Sequence, residues 1–143
     1  LAARMAAELA ARHGSALAET GQPLTGQRIL LMGIAYKRDV EDTRRSPALV
    51  LLDELEKLGA EVEYHDPYFP RLPEGGEYPQ LAGRTSQPLT ADNLKRYAAV
   101  AVITDHSAPD YDLVAREAAL VFDTRNVFEK QGIRVADGRL VNL

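Results

Sequence analysis

The sequence contains no cysteine. That excludes disulfides, thiolate-bound metals and a cysteine nucleophile within this chain. No apolar run approaches the roughly 20 residues a membrane-spanning helix needs. The opening Leu1-Ala-Ala-Arg-Met5 lacks the basic-then-apolar order of a secretory signal. A reducing, cytoplasmic setting is therefore the default expectation. A basic excess is missing too: 17 Lys and Arg stand against 21 Asp and Glu, a net charge of −4. Domains that bind nucleic acid usually carry a basic face and a high pI, so neither nucleic acid nor a membrane is an expected partner, and any anion site must be local. Also absent are the Gly-x-Gly-x-x-Gly fingerprint of a dinucleotide site, a defensible Ser–His–Asp arrangement, a metal-ligand cluster and an internal repeat. A complete NAD site confined to this chain is not expected.

What is present is an ordinary globular composition, 45% hydrophobic and 27% charged over 143 residues. That length suits one domain burying about 70% of its unfolded surface.

The chain is organised around residues 28–47. Ile29-Leu-Leu-Met32 is a continuous apolar run, as in a strand buried on both faces. Gly33 ends it. A polar stretch follows with four cations, Lys37, Arg38, Arg44 and Arg45, interleaved with Asp39, Glu41 and Asp42. Ser46-Pro47 then offers an N-cap hydroxyl and a proline at the first helical position. The order strand, cationic loop, helix puts the loop at the carboxyl end of a strand, where open parallel sheets bind ligands. The expected ligand is an anion, most simply a phosphate. The competing reading is a solvated loop knitted by weak surface ion pairs, and spacing alone does not choose between them. Tyr36 either stacks on a base or ribose or packs beneath the loop.

The flanks support an α/β fold. Residues 1–19 are mostly strong helix formers, with Leu1, Met5, Leu9 and Arg12 at steps of three and four. They read as the end of a long helix, followed by a turn-rich linker. After Pro47, Leu49, Leu52, Leu55 and Leu58 repeat at helical spacing up to Gly59, a suitable C-cap. Residues 60–65 alternate like a strand and stop at Asp66-Pro67. Residues 66–89, rich in proline and glycine, read as an irregular excursion. A short helix over 90–97, a buried strand over 98–104, a helix over 111–118 and a strand over 119–123 follow. Residues 133–141 form either a hairpin about Asp137-Gly138 or a final edge strand. The predicted architecture is a Rossmann-like open parallel sheet with helices on both faces, preceded by the end of a long helix.

In such a sheet the polar clusters converge on one rim: Lys37 and Arg44 from the first loop, Asp66 from the second strand, Thr104-Asp105-His106 from the third and Arg125 from the fourth. Two or three cations there suit a diphosphate. Asp66 reads more readily as a turn cap than as a catalyst, and His106 as structural rather than catalytic.

Gly33-Ile-Ala-Tyr-Lys37, Asp42-Thr-Arg44, Ser46-Pro-Ala48, Gly59-Ala-Glu-Val62, Asp66-Pro67, Thr104-Asp-His106 and Asp123-Thr-Arg-Asn126, in this order, closely resemble the C-terminal UDP-binding domain of the UDP-glucose/GDP-mannose dehydrogenase family. Ser-Pro-Ala, Thr-Asp-His and Asp-Thr-Arg-Asn together look most like the branch that oxidises UDP-N-acetylhexosamines. The resemblance implies a nucleotide-sugar-binding part of an NAD-dependent 6-dehydrogenase, which turns a sugar's C6 alcohol into a carboxylate for polysaccharide precursor synthesis. It implies that Lys37 and Arg125 meet the UDP-sugar and that Arg44 reaches the NAD pyrophosphate; Tyr36, next to Lys37, is expected as a further substrate contact. NAD itself would be held mainly by an N-terminal domain of the same polypeptide that also brings the catalytic cysteine, so no catalytic residue is expected here and the chain alone should not turn over. Residues 1–19 would belong to a central dimerisation helix, 20–27 to a linker and 28–143 to the UDP-sugar-binding domain of a homodimer. Two rivals are a stand-alone regulatory module for another phosphorylated ligand and a structural dimerisation fragment.

Overall fold

Consecutive apolar residues on a strand are all buried only if both faces of the sheet are covered. The computed structural model describes residues 1–13, 23–44 and 46–143. In it the run lies on β1 (Arg28–Met32), buried from Ile29 onward. Residues 14–19 of the expected helix, 20–22 of the expected linker and Arg45 fall outside the described residues.

The chain continues through α2 (Pro47–Lys57), β2 (Glu61–His65), α3 (Ala91–Leu94), β3 (Ala99–Val102), α4 (Tyr111–Glu117), β4 (Val121–Asp123), α5 (Val127–Lys130) and β5 (Leu140–Asn142), after an opening helix α1 (Ala2–His13). The five strands are parallel in the order β2–β1–β3–β4–β5. The chain thus steps outward from β1 to β2, then returns past β1 and builds in the other direction. With crossover hand fixed, that reversal puts the two sets of helices on opposite faces. The core shows this division. Ile29, Leu31, Val62, Tyr64, Ala101 and Phe122 face α1 and α2, whereas Leu30, Met32, Val100, Val102 and Val121 face α3, α4 and α5.

Local chemistry sets the element ends. Ser46 Oγ accepts from the Ala48 N–H (3.2 Å) to cap α2. At the other end Gly59 has φ +99°, and the Gly59 and Ala60 N–H groups donate to the Glu56 and Leu55 carbonyls. That is a Schellman ending built on glycine. Thr90 and Asp110 cap α3 and α4. On α1, Ala2, Met5, Ala6 and Leu9 are buried in this domain's own core. The excursion at 66–89 is tied down: the Leu72 N–H donates to the Arg84 carbonyl (2.8 Å) and the Gln87 N–H to that of Tyr64 (2.7 Å).

Two expectations are refined and one element is added. Residues 140–142 pair parallel with β4, so the hairpin alternative falls and the edge strand stands. The helix expected over 90–97 closes after Leu94 and continues as a turn. The four-residue α5 has no counterpart in the sequence reading, being too short for a helical period to show. Among the described residues no helix is long and apolar enough to cross a membrane.

At the end of β1 the backbone of Gly33, at φ +85°, passes so close to β3 that a Cβ would lie 2.1 Å from the Thr104 carbonyl oxygen. Gly138 has a similar φ, +81°, but faces open space. Gly138→Ala should therefore cost only the backbone strain, about 1–2 kcal/mol. Gly33→Ala should cost a further ~1–3 kcal/mol of overpacking. Urea unfolding of both variants checks this, and equal losses would refute the close approach.

Candidate functional site

Because β1 lies between β2 and β3, the sheet's switch point falls between β1 and β3. Their carboxyl ends frame the crevice where open α/β sheets take ligands. Four segments meet along this rim: the β1–α2 loop (33–46), the turn after β2, residues 103–107 after β3 and residues 124–126 after β4.

Asp66, at the end of β2, is 1% exposed. Its Oδ2 accepts from the Ile34 N–H (2.8 Å), the Ala35 N–H (3.2 Å) and His106 Nε2 (2.8 Å). Its Oδ1 accepts from the Tyr68 N–H (2.8 Å), the turn cap the sequence suggested. Burial pushes this carboxyl up, but the donors from His106, Tyr68 and Ile34 outweigh it and hold the carboxyl below its ordinary value. His106 is as buried as Asp66. Its Nδ1 accepts from the Asp39 N–H (2.8 Å), so the network assigns the proton to Nε2. The Tyr68 ring lies 4.9 Å from the imidazole, and the Tyr111 hydroxyl donates to the His106 carbonyl (2.6 Å). His106 is therefore a structural histidine, as the sequence favoured. His65 is likewise internal, donating from Nδ1 to the Gln87 carbonyl (2.7 Å), with burial pushing its pKa down.

Within the β1–α2 loop the cations divide. Arg44 is bidentate to Asp42, Nε to Oδ1 at 3.1 Å and Nη2 to Oδ2 at 2.9 Å. These bonds hold the Asp42 carboxyl at about 2. Arg38 reaches Ser107 Oγ (3.3 Å) and lies 3.8 Å from the Asp39 carboxylate. Lys37 makes no ion pair among the described residues, and both it and Tyr36 (45% exposed) face solvent. The ion-pair reading thus holds for Arg38 and Arg44, and of the described loop cations Lys37 is left without an ion pair. Arg125 is exposed at the end of β4, and its Nε donates to the Ile103 carbonyl (2.9 Å). Its guanidinium therefore reaches toward the end of β3. Asp123, buried beneath it, accepts from the Arg125 N–H (2.9 Å) and the Phe128 N–H (3.3 Å), shaping the turn in which Asn126 has φ +59°.

Arg44, whose side chain is 88% exposed, lines a half-open groove of about 450 Å³ with Thr43, Ser46, Leu49, Val50 and Tyr78. Of the four residues expected at the site, Arg44 alone borders this groove. Tyr36 and Lys37 stand on the β1 loop and Arg125 on the β4 turn.

The chain's residues do not suit a whole dinucleotide. In a dinucleotide fold the amides of the first turn face the pyrophosphate. Here the Ile34 and Ala35 amides are both committed to Asp66. At the start of α2, Pro47 has no N–H and the Ala48 N–H is bonded to Ser46. Among the residues that line the groove, Arg44 is the cation.

The network missed at the sequence level is Asp39–His106–Asp66. Asp39 looked like one of three loop carboxylates. Only its φ of +55° and its bonds to Ser107 Oγ (2.5 Å) and N–H (2.9 Å) mark it out, and neither is written in a sequence pattern.

A UDP-glucose 6-dehydrogenase of Bacillus subtilis is 29% identical over 115 residues, 73% of this chain and 24% of that protein. A UDP-N-acetyl-D-mannosamine dehydrogenase of Methanococcus aeolicus is 35% identical over 80 residues, 56% of this chain and 16% of that protein. The chain thus spans a quarter or less of the curated relatives it matches. Among solved structures, the UDP-D-ManNAc dehydrogenase of Pyrococcus horikoshii shares the fold at a TM-score of 0.60 and 22% identity, over 97% of this chain and 30% of that one. The model of the UDP-glucose/GDP-mannose dehydrogenase family's UDP binding domain matches residues 30–130, the segment that carries β1 to α5 and every rim loop described above, and the chain belongs to that family.

Proposed function

We propose that this chain is the UDP-sugar-binding part of an NAD-dependent UDP-sugar 6-dehydrogenase of the UDP-N-acetylhexosamine branch, a cytoplasmic enzyme supplying a polysaccharide precursor. The observation that carries the reading is the β1–α2 loop: pinned to β2 and β3 at the switch point, it holds the ammonium of Lys37, free of any ion pair among the described residues, out beside Tyr36. A free ammonium on an ordered loop is what an incoming diphosphate needs, because no internal partner must be displaced first.

In this reading Lys37 meets the diphosphate of the UDP-sugar, Tyr36 offers a ring face, and the Arg125 guanidinium approaches from β4. Arg44 faces a second ligand, the NAD pyrophosphate, across its own groove. Its side chain is 88% exposed although paired with Asp42, so the pyrophosphate competes with that carboxylate for the guanidinium. Bound NAD supplies the hydride acceptor for both oxidations. It is held mainly by an NAD-binding domain of the same polypeptide, which also brings the catalytic cysteine this chain lacks. This chain binds and orients the sugar nucleotide and donates no catalytic group, so by itself it forms no product. In this reading α1, described over Ala2–His13, belongs to a central helix and residues 28–143 form the binding domain. The apolar stripe of α1 is buried against its own domain, so homodimer contacts through this helix use the opposite face, with Ala3 and Ala7.

The testing experiment is a two-dimensional NMR titration of this chain with UDP and, separately, NAD. UDP should move the Tyr36, Lys37 and Arg125 amides, and NAD those around Arg44. No response of the first set at millimolar UDP would remove the substrate assignment. In the full-length enzyme, Lys37→Ala and Arg125→Ala should each cost about 1.5–3 kcal/mol of UDP-sugar binding, read as a raised KM for the sugar nucleotide with that for NAD unchanged. Arg44→Ala should do the reverse. Mixed with UDP-N-acetylhexosamine and NAD, this chain alone should form no NADH.

A further inference from the structure

A buried carboxylate bonded to a neutral imidazole is a costly way to stabilise a fold, because well-packed apolar residues need no compensating hydrogen bonds. Asp66 and His106 are nonetheless fully buried beneath the rim, and the proposed function gives neither a contact with ligand. What they hold is specific. Upstream of Tyr36, the Ala35 N–H donates to Asp66 Oδ2. Downstream of Arg38, the Asp39 N–H donates to His106 Nδ1. The pair is itself joined, His106 Nε2 to Asp66 Oδ2 at 2.8 Å. Both ends of the tripeptide Tyr36-Lys37-Arg38 are thus tied to one Asp–His unit. Thr104 Oγ1 adds a bond to the Ala35 carbonyl (2.9 Å), and Ser107 holds the Asp39 carboxylate.

The downstream tie has a conformational cost. Asp39 sits at φ +55°, a conformation that L-residues keep only where surrounding contacts over-determine it, and such positions gather at ligand sites. The conformation directs the Asp39 N–H at the imidazole while its carboxylate takes both donors of Ser107.

We infer that Asp66 and His106 are positioning residues for nucleotide binding: by clasping Ala35 and Asp39 they fix the intervening Tyr36 and Lys37 in the phosphate-receiving geometry before ligand arrives. The inference rests on the proposed UDP-sugar reading. An unclasped loop must be ordered as the ligand binds, and affinity falls accordingly.

The variants separate the two bonds of the imidazole, to the Asp39 N–H and to Asp66. His106→Ala removes both and leaves Asp66, which holds the Ala35 N–H, without its imidazole partner. His106→Asn keeps an oxygen near the Nδ1 position to accept from Asp39 but loses Asp66. His106→Gln keeps a donor near Nε2 for Asp66. Tyr64→Phe, which removes contacts to the Phe69 and Arg84 carbonyls away from the loop, controls for simple loss of stability. Two measurements are made on the 143-residue chain under conditions where each variant gives a dispersed native spectrum: UDP affinity from the Lys37 amide, and hydrogen exchange at Ala35 and Asp39 without ligand. His106→Ala should weaken UDP by about tenfold and speed exchange at both amides, with His106→Asn and His106→Gln each restoring part of the affinity. Tyr64→Phe should leave affinity and both amides at wild-type values. If His106→Ala does not fold, the Asn and Gln variants carry the comparison. UDP affinity equal to wild type in the His106 variants overturns the inference. If the wild-type Lys37 amide does not respond to UDP, the UDP reading fails and the nucleotide role of the clasp fails with it, whereas exchange at Ala35 and Asp39 that stays at wild-type values in the His106 variants overturns the clasp itself.

Discussion

The carboxylate of Asp66 accepts four hydrogen bonds, from the backbone of the β1 loop at Ile34 and Ala35, from its own turn at Tyr68 and from His106 after β3. Every other feature of the rim depends on this. Hydrogen bonding pairs parallel strands along their lengths but leaves their carboxyl ends as separate loops. A group that bonds several loops at once fixes their relative position. An anion suits the task because it accepts from many donors, and backbone N–H groups at strand ends supply them. The same bonds hold its pKa below the ordinary value despite burial, so the junction stays ionised at neutral pH and keeps its full accepting capacity.

This junction also accounts for what the rim cannot do. A dinucleotide fold leaves the amides of the first turn free, with glycines to admit the pyrophosphate. Here only Gly33 remains, and its small size is used for the approach of Thr104. The amides that follow are satisfied internally. In the proposed reading anion recognition falls to side chains, Lys37 and the exposed arginines, whose charge sits on the surface of an acidic domain with net charge −4. Such contacts are individually modest and sensitive to salt. Preorganisation of the loop adds to affinity without adding charge.

The sequence made the skeleton of the sheet legible where one residue type settles the matter. The apolar runs of β1 and β3 leave no exposed face, Ser46-Pro47 starts α2, and Gly59 ends it with a positive φ. It was ambiguous at the C-terminus, where Asp137-Gly138 has the chemistry of a hairpin turn. There the pairing of β5 with β4 is tertiary: Leu140 and Val141 are only half-buried and show no clear alternation. On the rim, the placement of Tyr36 and Lys37 at the carboxyl end of β1 was legible because a loop after a buried strand is a position as well as a composition. The Asp66–His106–Asp39 network was not. Its members lie 40 and 67 residues apart along the chain. Each has an adequate local explanation, a turn cap, a lone histidine and a loop carboxylate, so only the fold shows that they touch.

The division among the cations follows from the same geometry. Arg44 can fold back on Asp42 two residues away because the backbone turns there: the Arg44 N–H also donates to Asp42 Oδ1 at 2.9 Å. Arg38 is drawn to Ser107 and Asp39 on the β3 side. Lys37 lies between these two local networks. The clasp that fixes Asp39 directs Arg38 inward toward β3, and it leaves the residue before it as the cation with no ion pair among the described residues. Among the described residues of the loop, an alternation of charges that in the sequence reads as self-neutralising thereby leaves the Lys37 ammonium without an ion pair. This outcome depends on the backbone of Asp39 rather than on the number of charges, which is why composition alone assigned this loop two equally good roles.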